Sequence, residues 1–188
     1  MTGIILSGGK NIRMGTNKAF IEVDGERLID RTVRLFKEVF KEIILVTNSP
    51  FEYLNQDVKI VTDIIKEKGA LGGIYTGLFY STFDYSFVSA CDMPFLNRSF
   101  IGYMINNIGH HDIVVPNPPD GLQPLHAIYS SRCLPHIKKS IDMDKLKITG
   151  FYKRSKILKI PADDIKSFDP EGRIFININS KEDLKQIS

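Results

Sequence analysis

The chain has 188 residues, a length that suits one α/β domain, and its 43% hydrophobic content is enough for a sizeable core. Charged residues make up 25% of the sequence, which argues against intrinsic disorder. The net charge of +3 arises from 25 basic and 22 acidic residues spread along the chain, so we do not expect dedicated nucleic-acid binding, which requires a clustered basic stripe.

Strand and helix patterns alternate through the first half of the sequence. Short apolar or β-branched runs followed by turn residues predict strands at Gly3–Ser7, Glu42–Thr47 and Val58–Thr62. Within Glu26–Phe40, apolar residues spaced by four, three and four positions fall on one helical face. A second helix is predicted at Leu71–Ser81.

The second half begins with a clear strand pattern. Strands are predicted at Tyr85–Ala90 and Asp112–Val115, and the helix between them begins at the cap Asn97 and runs to Ile108. Strands that alternate with helices predict βαβ units and a mostly parallel sheet that is covered on both faces.

Past Pro116 the pattern is less regular. We expect an extended segment at Gln123–Tyr129, a short helix opening at Asp163-Asp164 and a late strand at Arg173–Ile178. The segment Asp142–Ser155 combines several basic residues with little apolar periodicity, which is typical of a mobile surface loop. A final helix is predicted after Ser180, which resembles the first residue of a capping box.

The segment LSGGKNIRMGTNK, residues 6–18, follows the first strand and carries the first chemical signature. Gly8 and Gly9 let backbone N–H groups turn toward an anion, because no Cβ blocks its approach. Arg13 and Lys18 add two cations beside the same loop, where phosphates need charge neutralisation. Neither a GxxxxGK[ST] P-loop nor a GxGxxG dinucleotide fingerprint fits the segment. It therefore predicts phosphate binding, and the alternative is a flexible loop with ordinary surface cations.

A carboxylate follows the strand Tyr85–Ala90, in the turn Cys91-Asp92-Met93-Pro94. Pro94 forces Met93 out of helical geometry, so the strand ends there. Asp92 is thereby left at the carboxyl end of a parallel strand, the edge at which open α/β sheets bind ligands. Because Mg²⁺ takes one or two protein carboxylates together with phosphate oxygens and water, Asp92 is a candidate magnesium ligand. Capping of the following turn is the alternative role.

Four motifs in this order resemble the molybdenum cofactor guanylyltransferases, a family of nucleotidyltransferases. LSGGKNIRMGTNK matches the family form LxGGxxxRMGxxK, and CDMP matches its turn. PNPPDGLQPLHAIY is similar to PxxxGxxQPLxALY, and FININSKEDL is similar to FxNINTPEDL. The first two motifs belong to the broader superfamily, whereas the last two are more discriminating. The resemblance covers residues 6–184 and implies a three-layer Rossmann-like nucleotidyltransferase fold with a mostly parallel, twisted central sheet.

The resemblance also implies an activity. The enzyme would transfer GMP from GTP to molybdopterin, release pyrophosphate and use Mg²⁺ as its cofactor. One nucleotidyltransferase domain would span residues 1–188, with nucleotide binding in the N-terminal part and the acceptor side at about residues 117–188. The resemblance leaves room for transient protein partners that deliver the molybdenum cofactor, and it implies no contact with nucleic acid or membrane.

Family roles transfer to the matching positions of this chain. The resemblance assigns the nucleotide side to the loop residues Leu6, Ser7, Gly8, Gly9 and Lys18, to Asn48 and Asp63 against the guanosine, and to Asp92 as the magnesium ligand. It assigns the pterin side to Gln123, Asn177 and Asn179. The catalytic residues would be Arg13, Lys18 and Asp92. Because the attacking phosphate is already anionic, the site needs alignment and charge neutralisation rather than a general base.

Other chemistry-bearing residues have simpler interpretations. His110-His111 lacks a third spaced ligand and is interpreted as a polar turn rather than a metal site. His126 either faces substrate or is a satisfied structural histidine. Cys91 has no identifiable activating base, so packing is favoured over a nucleophilic role.

Two further functions stay open. One is a related transferase that uses CTP with molybdopterin, or another nucleotide with a sugar phosphate; the double glycine after Ser7 favours guanine. The other is a nucleotide-binding protein without turnover, against which the pairing of Lys18 with Asp92 argues. The N-terminus shows no basic n-region, the run Ile4-Ile5-Leu6 is too short to export or span, and Cys91 and Cys133 do not form a disulfide framework. We therefore expect a cytoplasmic protein.

Overall fold

The structure is a computed structural model that describes residues 1–8, 17–178 and 183. The strands of this described part are β1 (Thr2–Leu6), β2 (Glu22–Val23), β3 (Glu26–Arg27), β4 (Glu42–Val46), β5 (Lys59–Val61), β6 (Tyr85–Ala90), β7 (Ile113–Asn117), β8 (His126–Ser130) and β9 (Ile157–Pro161). Its α-helices are α1 (Leu28–Val39), α2 (Gly69–Tyr80), α3 (Arg98–Asn106), α4 (Leu134–Asp142) and α5 (Ala162–Phe168).

Seven strands form one sheet in the order β5-β4-β1-β6-β8-β7-β9, and β2 pairs with β3 as a separate short hairpin. All the neighbouring strands in the large sheet are parallel except those that flank β8, which runs antiparallel to both β6 and β7. The prediction of a mostly parallel sheet is therefore confirmed. The helical crossovers between parallel strands account for the order, because a parallel pair cannot be joined by a tight turn.

Helices cover both faces of the sheet. On one face α1, α3 and α5 pack in a buried cluster with inward side chains such as Ile5 of β1 and Phe87 of β6. On the other face α2 and α4 pack against the alternate residues, Ile4 and Val88. Successive strand residues point to opposite faces, so both faces of a central strand are apolar and buried. The predicted three-layer arrangement is confirmed.

Two glycines allow the helices to lie close to β1. A Cβ atom at Gly77 of α2 would stand 2.6 Å from Cγ2 of Ile4. A Cβ atom at Gly3 of β1 would stand 2.5 Å from the rings of Phe36 and Phe40. Since real Cβ contacts are longer than this, the close packing of α1 and α2 on the central strand depends on glycine at both positions.

Several predicted elements are confirmed with small shifts at their ends. The strand Tyr85–Ala90 has the predicted bounds. The helix α1 lies within the predicted Glu26–Phe40 and buries Ile29, Val33 and Phe36. Asn97 caps α3 as predicted, because its Oδ1 accepts a hydrogen bond of 3.0 Å from the backbone N–H of Phe100.

Two predictions in the C-terminal part are wrong. Arg173–Ile178 forms no strand; its backbone turns, with the N–H of Ile176 donating to the carbonyl of Arg173. Asp142–Ser155 is not a loose surface loop, because short 3-10 helices bring the buried Phe151 and Tyr152 against the sheet. The helix predicted after Ser180 falls outside the described residues apart from Asp183. No helix in the described ranges combines the length and apolar character needed to cross a membrane.

Candidate active site

Four parallel strands end at the same level of the sheet. In the strand register Leu6 lies opposite Val46 and Ala90, and Val46 lies opposite Val61. Two residues beyond these four positions, the chain carries Gly8, Asn48, Asp63 and Asp92.

The pairing continues past the strand ends, which holds these residues in register. The backbone N–H of Ser7 donates to the carbonyl of Val46 at 2.9 Å, and that of Cys91 donates to the carbonyl of Leu6 at 3.1 Å. The N–H of Thr47 bonds to the carbonyl of Val61 at 2.9 Å. The predicted nucleotide-side residues Leu6, Ser7, Gly8, Asn48, Asp63 and Asp92 therefore lie at or beside one edge of the sheet.

This edge contains the switch point of the sheet. The chain passes from β1 to β4 on one side, and later returns to place β6 on the other side of β1. Crossovers that leave in opposite directions open a crevice beyond the carboxyl ends of the two central strands, where open α/β sheets bind their ligands. Gly8 follows β1 and Asp92 follows β6, so they border the crevice.

Asp92 has an oxygen that nothing in the described chain satisfies. Its Oδ1 is buried and has no hydrogen-bond partner among the described residues. Burial raises the pKa of Asp92, and a hydrogen bond from its own backbone and the positive charge of Lys18 both oppose that rise. Buried polar atoms are ordinarily hydrogen-bonded, so an orphaned carboxylate oxygen in a ligand crevice is a candidate for contact with a cation.

Lys18 begins a short 3-10 helix, Lys18–Phe20, whose N-cap is Asn17. The side-chain oxygen of Asn17 accepts a hydrogen bond of 3.1 Å from the backbone N–H of Ala19, and Ala19 is fully buried. The buried alanine and the cap fix the position of Lys18 against the body of the protein. From there its charge acts on both Asp92 and Cys91.

Asn48 and Asp63 meet at the ends of β4 and β5. Nδ2 of Asn48 donates a 2.7 Å hydrogen bond to Oδ2 of Asp63. The other carboxylate oxygen of Asp63, Oδ1, is buried and has no hydrogen-bond partner in the described ranges. Burial raises the pKa of Asp63, whereas the bond from Asn48 lowers it. The pair thus presents one occupied and one unoccupied acceptor.

The segments of two residues predicted for the pterin side, Gln123 and Asn177, approach the same edge from the other half of the chain. Leu125, two residues after Gln123, accepts a backbone hydrogen bond of 3.3 Å from Ala90 at the end of β6. Ile178, the residue after Asn177, donates its N–H to the carbonyl of Asp92 at 2.9 Å. Asn177 itself is exposed. The backbone thus brings the segments of Gln123 and Asn177 to the two sides of the turn that carries Asp92.

Three predicted site residues, Gly9, Arg13 and Asn179, lie outside the described residues.

Sequence patterns gave no indication of another residue, Tyr53, which lies in the 3-10 helix Pro50–Tyr53 after β4. Its side chain is 1% exposed, and its hydroxyl lies 2.6 Å from Oγ of Ser7. A single aromatic residue in a polar turn has no periodicity that would reveal such a contact.

Cys91 packs as predicted rather than serving as a nucleophile. It is buried, and burial raises the pKa of its thiol to about 12. A thiol at such a pKa carries almost no thiolate at neutral pH, and thiolate is the reactive form.

His126 is structural, yet it is not satisfied. Its ring lies among the rings of Phe87, Phe100 and Phe175, with centroids 5.0, 5.6 and 5.3 Å away. Neither ring nitrogen has a hydrogen-bond partner among the described residues. This burial lowers the pKa of His126 from 6.5 to about 3, so the ring is neutral at physiological pH.

The buried histidine predicts acid sensitivity. Below about pH 6.5 the histidine is protonated in the unfolded chain but stays neutral in the folded protein. The free energy of unfolding therefore falls by up to about 1.4 kcal/mol for each unit by which the pH is lowered. The effect is absent above that pH and grows as the pH falls toward 3. Urea unfolding at several pH values should show a shallower loss for His126→Leu than for the original chain. Equal slopes for the two proteins would contradict the interpretation. Asp63 and Asp92, whose pKa values are raised by burial, affect acid stability in the opposite direction. Both proteins contain these aspartates, so their effect cancels when the two slopes are compared.

An open cavity of about 590 Å³ lies at the opposite, amino-terminal edge of the sheet. Asp112 and Arg132 in its wall are already paired, since Nε of Arg132 donates to Oδ1 of Asp112 at 2.6 Å. The same guanidinium also donates to the hydroxyl of Tyr85 at 2.9 Å. These charges are paired with each other, and none of the described residues lining the cavity carries a buried side-chain atom without a partner of the kind found at the carboxyl-end crevice. His110, predicted to lie in a turn, borders the cavity.

The fold is that of the Rossmann-like nucleotidyltransferases. The structure resembles molybdopterin-guanine dinucleotide biosynthesis protein A from Archaeoglobus fulgidus with a TM-score of 0.85 and 26% identity, covering 99% of this chain and 96% of that one. It also shares its fold with Rv0371c from Mycobacterium tuberculosis, solved in complex with manganese, at a TM-score of 0.68 and 15% identity over 99% and 96% of the two chains.

Residues 3–156 match the family model described as the MobA-like NTP transferase domain. A protein of Desulfosudis oleivorans named molybdenum cofactor guanylyltransferase is 38% identical over 188 residues, which cover 99% of this chain and 93% of that protein. The chain belongs to the molybdenum cofactor guanylyltransferase family, and it is a nucleotidyltransferase. The predicted resemblance, the fold class and the enzyme class are thereby confirmed.

Proposed function

We propose that this enzyme transfers GMP from GTP to molybdopterin, with release of pyrophosphate, and so forms the guanine dinucleotide form of the molybdenum cofactor. The name of the relative from Desulfosudis oleivorans supports this donor and this pathway. The observation that carries the proposal is the orphaned carboxylate oxygen of Asp92, buried beside the charge of Lys18 at the switch point of the sheet. A carboxylate for a metal and an ammonium for phosphates suit a nucleotidyl transfer site.

Asp92 fits the magnesium ion that we propose as the cofactor. Among the described residues no group of three or more His, Cys, Asp and Glu side chains could hold a metal by itself. A single carboxylate suits Mg²⁺, which takes its other ligands from phosphates and water. The manganese complex of the protein with the same fold supports a divalent ion. When bound, the ion would neutralise charge on the phosphates of GTP.

The reaction needs few groups from the protein. An oxygen of the terminal phosphate of molybdopterin would form a bond to the α-phosphorus of GTP, while the bond from that phosphorus to the bridging oxygen of pyrophosphate breaks. The attacking oxygen is anionic, so no proton has to be removed. Lys18 would neutralise charge on the phosphates, and the backbone at Ser7 and Gly8 would orient them. Gln123 and Asn177 would position the pterin, with the nucleotide bound by the N-terminal part of the chain and the acceptor side formed by about residues 117–188.

We propose that Asp63 reads the base. The N1–H and the amino group of guanine are both donors, and the buried Oδ1 of Asp63 is an acceptor without a partner in the described ranges. Asn48 occupies the other carboxylate oxygen and fixes its orientation. Cytosine offers an acceptor where guanine offers N1–H, so CTP would place two acceptors face to face.

Asp63→Asn should therefore reduce the preference for GTP over the other nucleoside triphosphates by about tenfold to a hundredfold, the loss expected from hydrogen bonds to a charged group. The measurement is pyrophosphate release with each of the four triphosphates in the presence of molybdopterin. Asp57→Asn is the matched control, since its exposed carboxylate pairs with Lys37 away from the site. An unaltered preference in Asp63→Asn would refute this role.

The same assay decides the proposed function. With the unaltered enzyme, pyrophosphate should appear with GTP and only when molybdopterin is present. Release with CTP and molybdopterin, or with a sugar phosphate as acceptor, would indicate a related transferase. Binding of GTP without any release would indicate a nucleotide-binding protein without turnover.

A further inference from the structure

We propose that Tyr53 is a positioning residue that holds the phosphate-binding groups at a fixed distance from Asp92. The inference rests on the proposed function of this edge of the sheet. It follows from a chain of side-chain hydrogen bonds that joins three segments bordering the crevice.

The chain of hydrogen bonds runs from the side chain of Asn17 to that of Cys91. Nδ2 of Asn17 donates to the hydroxyl of Tyr53 at 2.8 Å, and this hydroxyl lies 2.6 Å from Oγ of Ser7. The hydroxyl of Ser7 donates in turn to Sγ of Cys91 at 3.2 Å. Nδ2 of Asn17 also donates to Glu52, the residue before Tyr53. The four groups come from the 3-10 helix of Lys18, from the turn after β4, and from the ends of β1 and β6.

The bonds run in one direction. An amide nitrogen can only donate, so the oxygen of Tyr53 accepts from Asn17. Because the single O–H of Ser7 is directed at Cys91, the hydroxyl of Tyr53 is the donor in its bond with Ser7. Ser7, having accepted, uses its own O–H toward Cys91. Burial raises the pKa of Tyr53, so the hydroxyl keeps the proton that this arrangement needs. Hydrogen bonds aligned in this way strengthen one another in a buried environment.

Three members of the chain are adjacent in sequence to residues of the proposed site. Ser7 precedes Gly8, Asn17 precedes Lys18, and Cys91 precedes Asp92. Tyr53 is the centre of this arrangement, because its hydroxyl contacts both Ser7 and Asn17. Removing that hydroxyl would break the side-chain link between Asn17 and the strand end at Ser7, and so would loosen the segment of Lys18, which the packing of Ala19 and the bond to Glu52 still hold. Small displacements of groups that align phosphates are costly to transfer reactions.

The test is Tyr53→Phe, which keeps the ring that packs on Phe20 with centroids 5.1 Å apart. Calorimetric titration with GTP and Mg²⁺ should show an affinity about tenfold weaker, the loss expected from one hydrogen bond. Guanosine should bind as it does to the unaltered enzyme, because Asn48 and Asp63 stand outside the chain of bonds. A general loosening of the fold would weaken both ligands equally, and that result would overturn the inference.

Tyr129→Phe is the matched control. Its fully buried hydroxyl also bonds to two groups, the carbonyl of Pro124 and the hydroxyl of Tyr152, both at 2.7 Å. This variant should bind GTP as the unaltered enzyme does; an equal loss of affinity would overturn the inference.

Asn17→Ser serves if Tyr53→Phe does not fold, since serine keeps an N-cap oxygen and lacks the amide donor. It should reproduce the selective loss of GTP affinity, and full affinity would overturn the inference. If the unaltered enzyme binds GTP and Tyr53→Phe binds it equally well, only the positioning role fails. If the unaltered enzyme does not bind GTP, the proposed function fails and the positioning role fails with it.

Discussion

Asp92→Asn should abolish nucleotidyl transfer and at the same time stabilise the unliganded protein. Turnover should fall by about a thousandfold or more, because the carboxylate proposed to hold the metal loses its charge. The free energy of unfolding should rise by on the order of 1 kcal/mol, since the buried oxygen no longer carries a charge without a partner. The side chains have nearly the same shape, so packing is unchanged. Pyrophosphate release and thermal unfolding without metal or nucleotide measure the two effects.

Asp112→Asn is the control that separates the two effects. Asp112 lies at the opposite edge, where its carboxylate accepts hydrogen bonds from Arg132 and from the backbone N–H of Lys156. These bonds lower the pKa of Asp112 despite its partial burial. The same substitution should therefore destabilise the protein there and leave turnover intact. A destabilised Asp92→Asn, or one that retains near-normal turnover, would exclude the metal-binding role of Asp92.

The central sheet could be predicted because its strands are buried on both faces. Segments rich in apolar residues such as Glu42–Val46 and Tyr85–Ala90 carry this signature, and the turn residues after them mark the strand ends. The predicted end of the strand Tyr85–Ala90 left Asp92 at the edge where open sheets bind ligands, whereas Asn48 and Asp63 were assigned to the same site by the family resemblance.

The edge elements were harder to predict because composition there is less distinctive. The strand Ile157–Pro161 is half-exposed and interrupted by Lys159, as an edge strand tolerates. Arg173–Ile178 shows the reverse error, since its apolar composition suggests a strand that the structure does not form. Ile174 and Ile178 are buried, and one backbone bond joins Ile178 to Asp92. Strand propensity reflects how well a side chain packs on a pleated surface. It does not show whether a neighbouring strand is available for backbone pairing, which a strand also requires.

The hydrogen-bonded chain through Tyr53 illustrates what sequence cannot supply at the site. Ser7 and Tyr53 are 46 positions apart, and Ser7 and Cys91 are 84 apart. Together the two contacts depend on the register of three strands, β1, β4 and β6. The residues proposed to bind ligand stand at predictable strand ends, whereas the residue proposed to position them is revealed only by the assembled sheet.

Lys18→Ala should weaken the binding of GTP by about a hundredfold, because it removes a charged donor from phosphates that carry several negative charges. Guanosine has no phosphate, so its affinity should be unchanged, and titration of both ligands separates the two contributions. Lys18→Arg keeps the positive charge at the start of the 3-10 helix and should lose much less affinity. Lys37→Ala removes an exposed lysine of α1 that pairs with Asp57, and this variant should bind GTP normally.

The ratio of the affinity for GTP to the affinity for guanosine separates a lost phosphate contact from a general disturbance of the site. The burial of Ala19 and the cap at Asn17 hold the backbone of residue 18 in place whatever its side chain, so loss of Lys18 should leave the fold intact. A selective loss of GTP binding then reports a missing contact with phosphate. If Lys18→Ala binds GTP as tightly as the unaltered enzyme, or loses guanosine to the same degree, Lys18 does not contact the phosphates. In that case the effect of Lys18 on Asp92 would be limited to opposing the rise in the pKa of that carboxyl group.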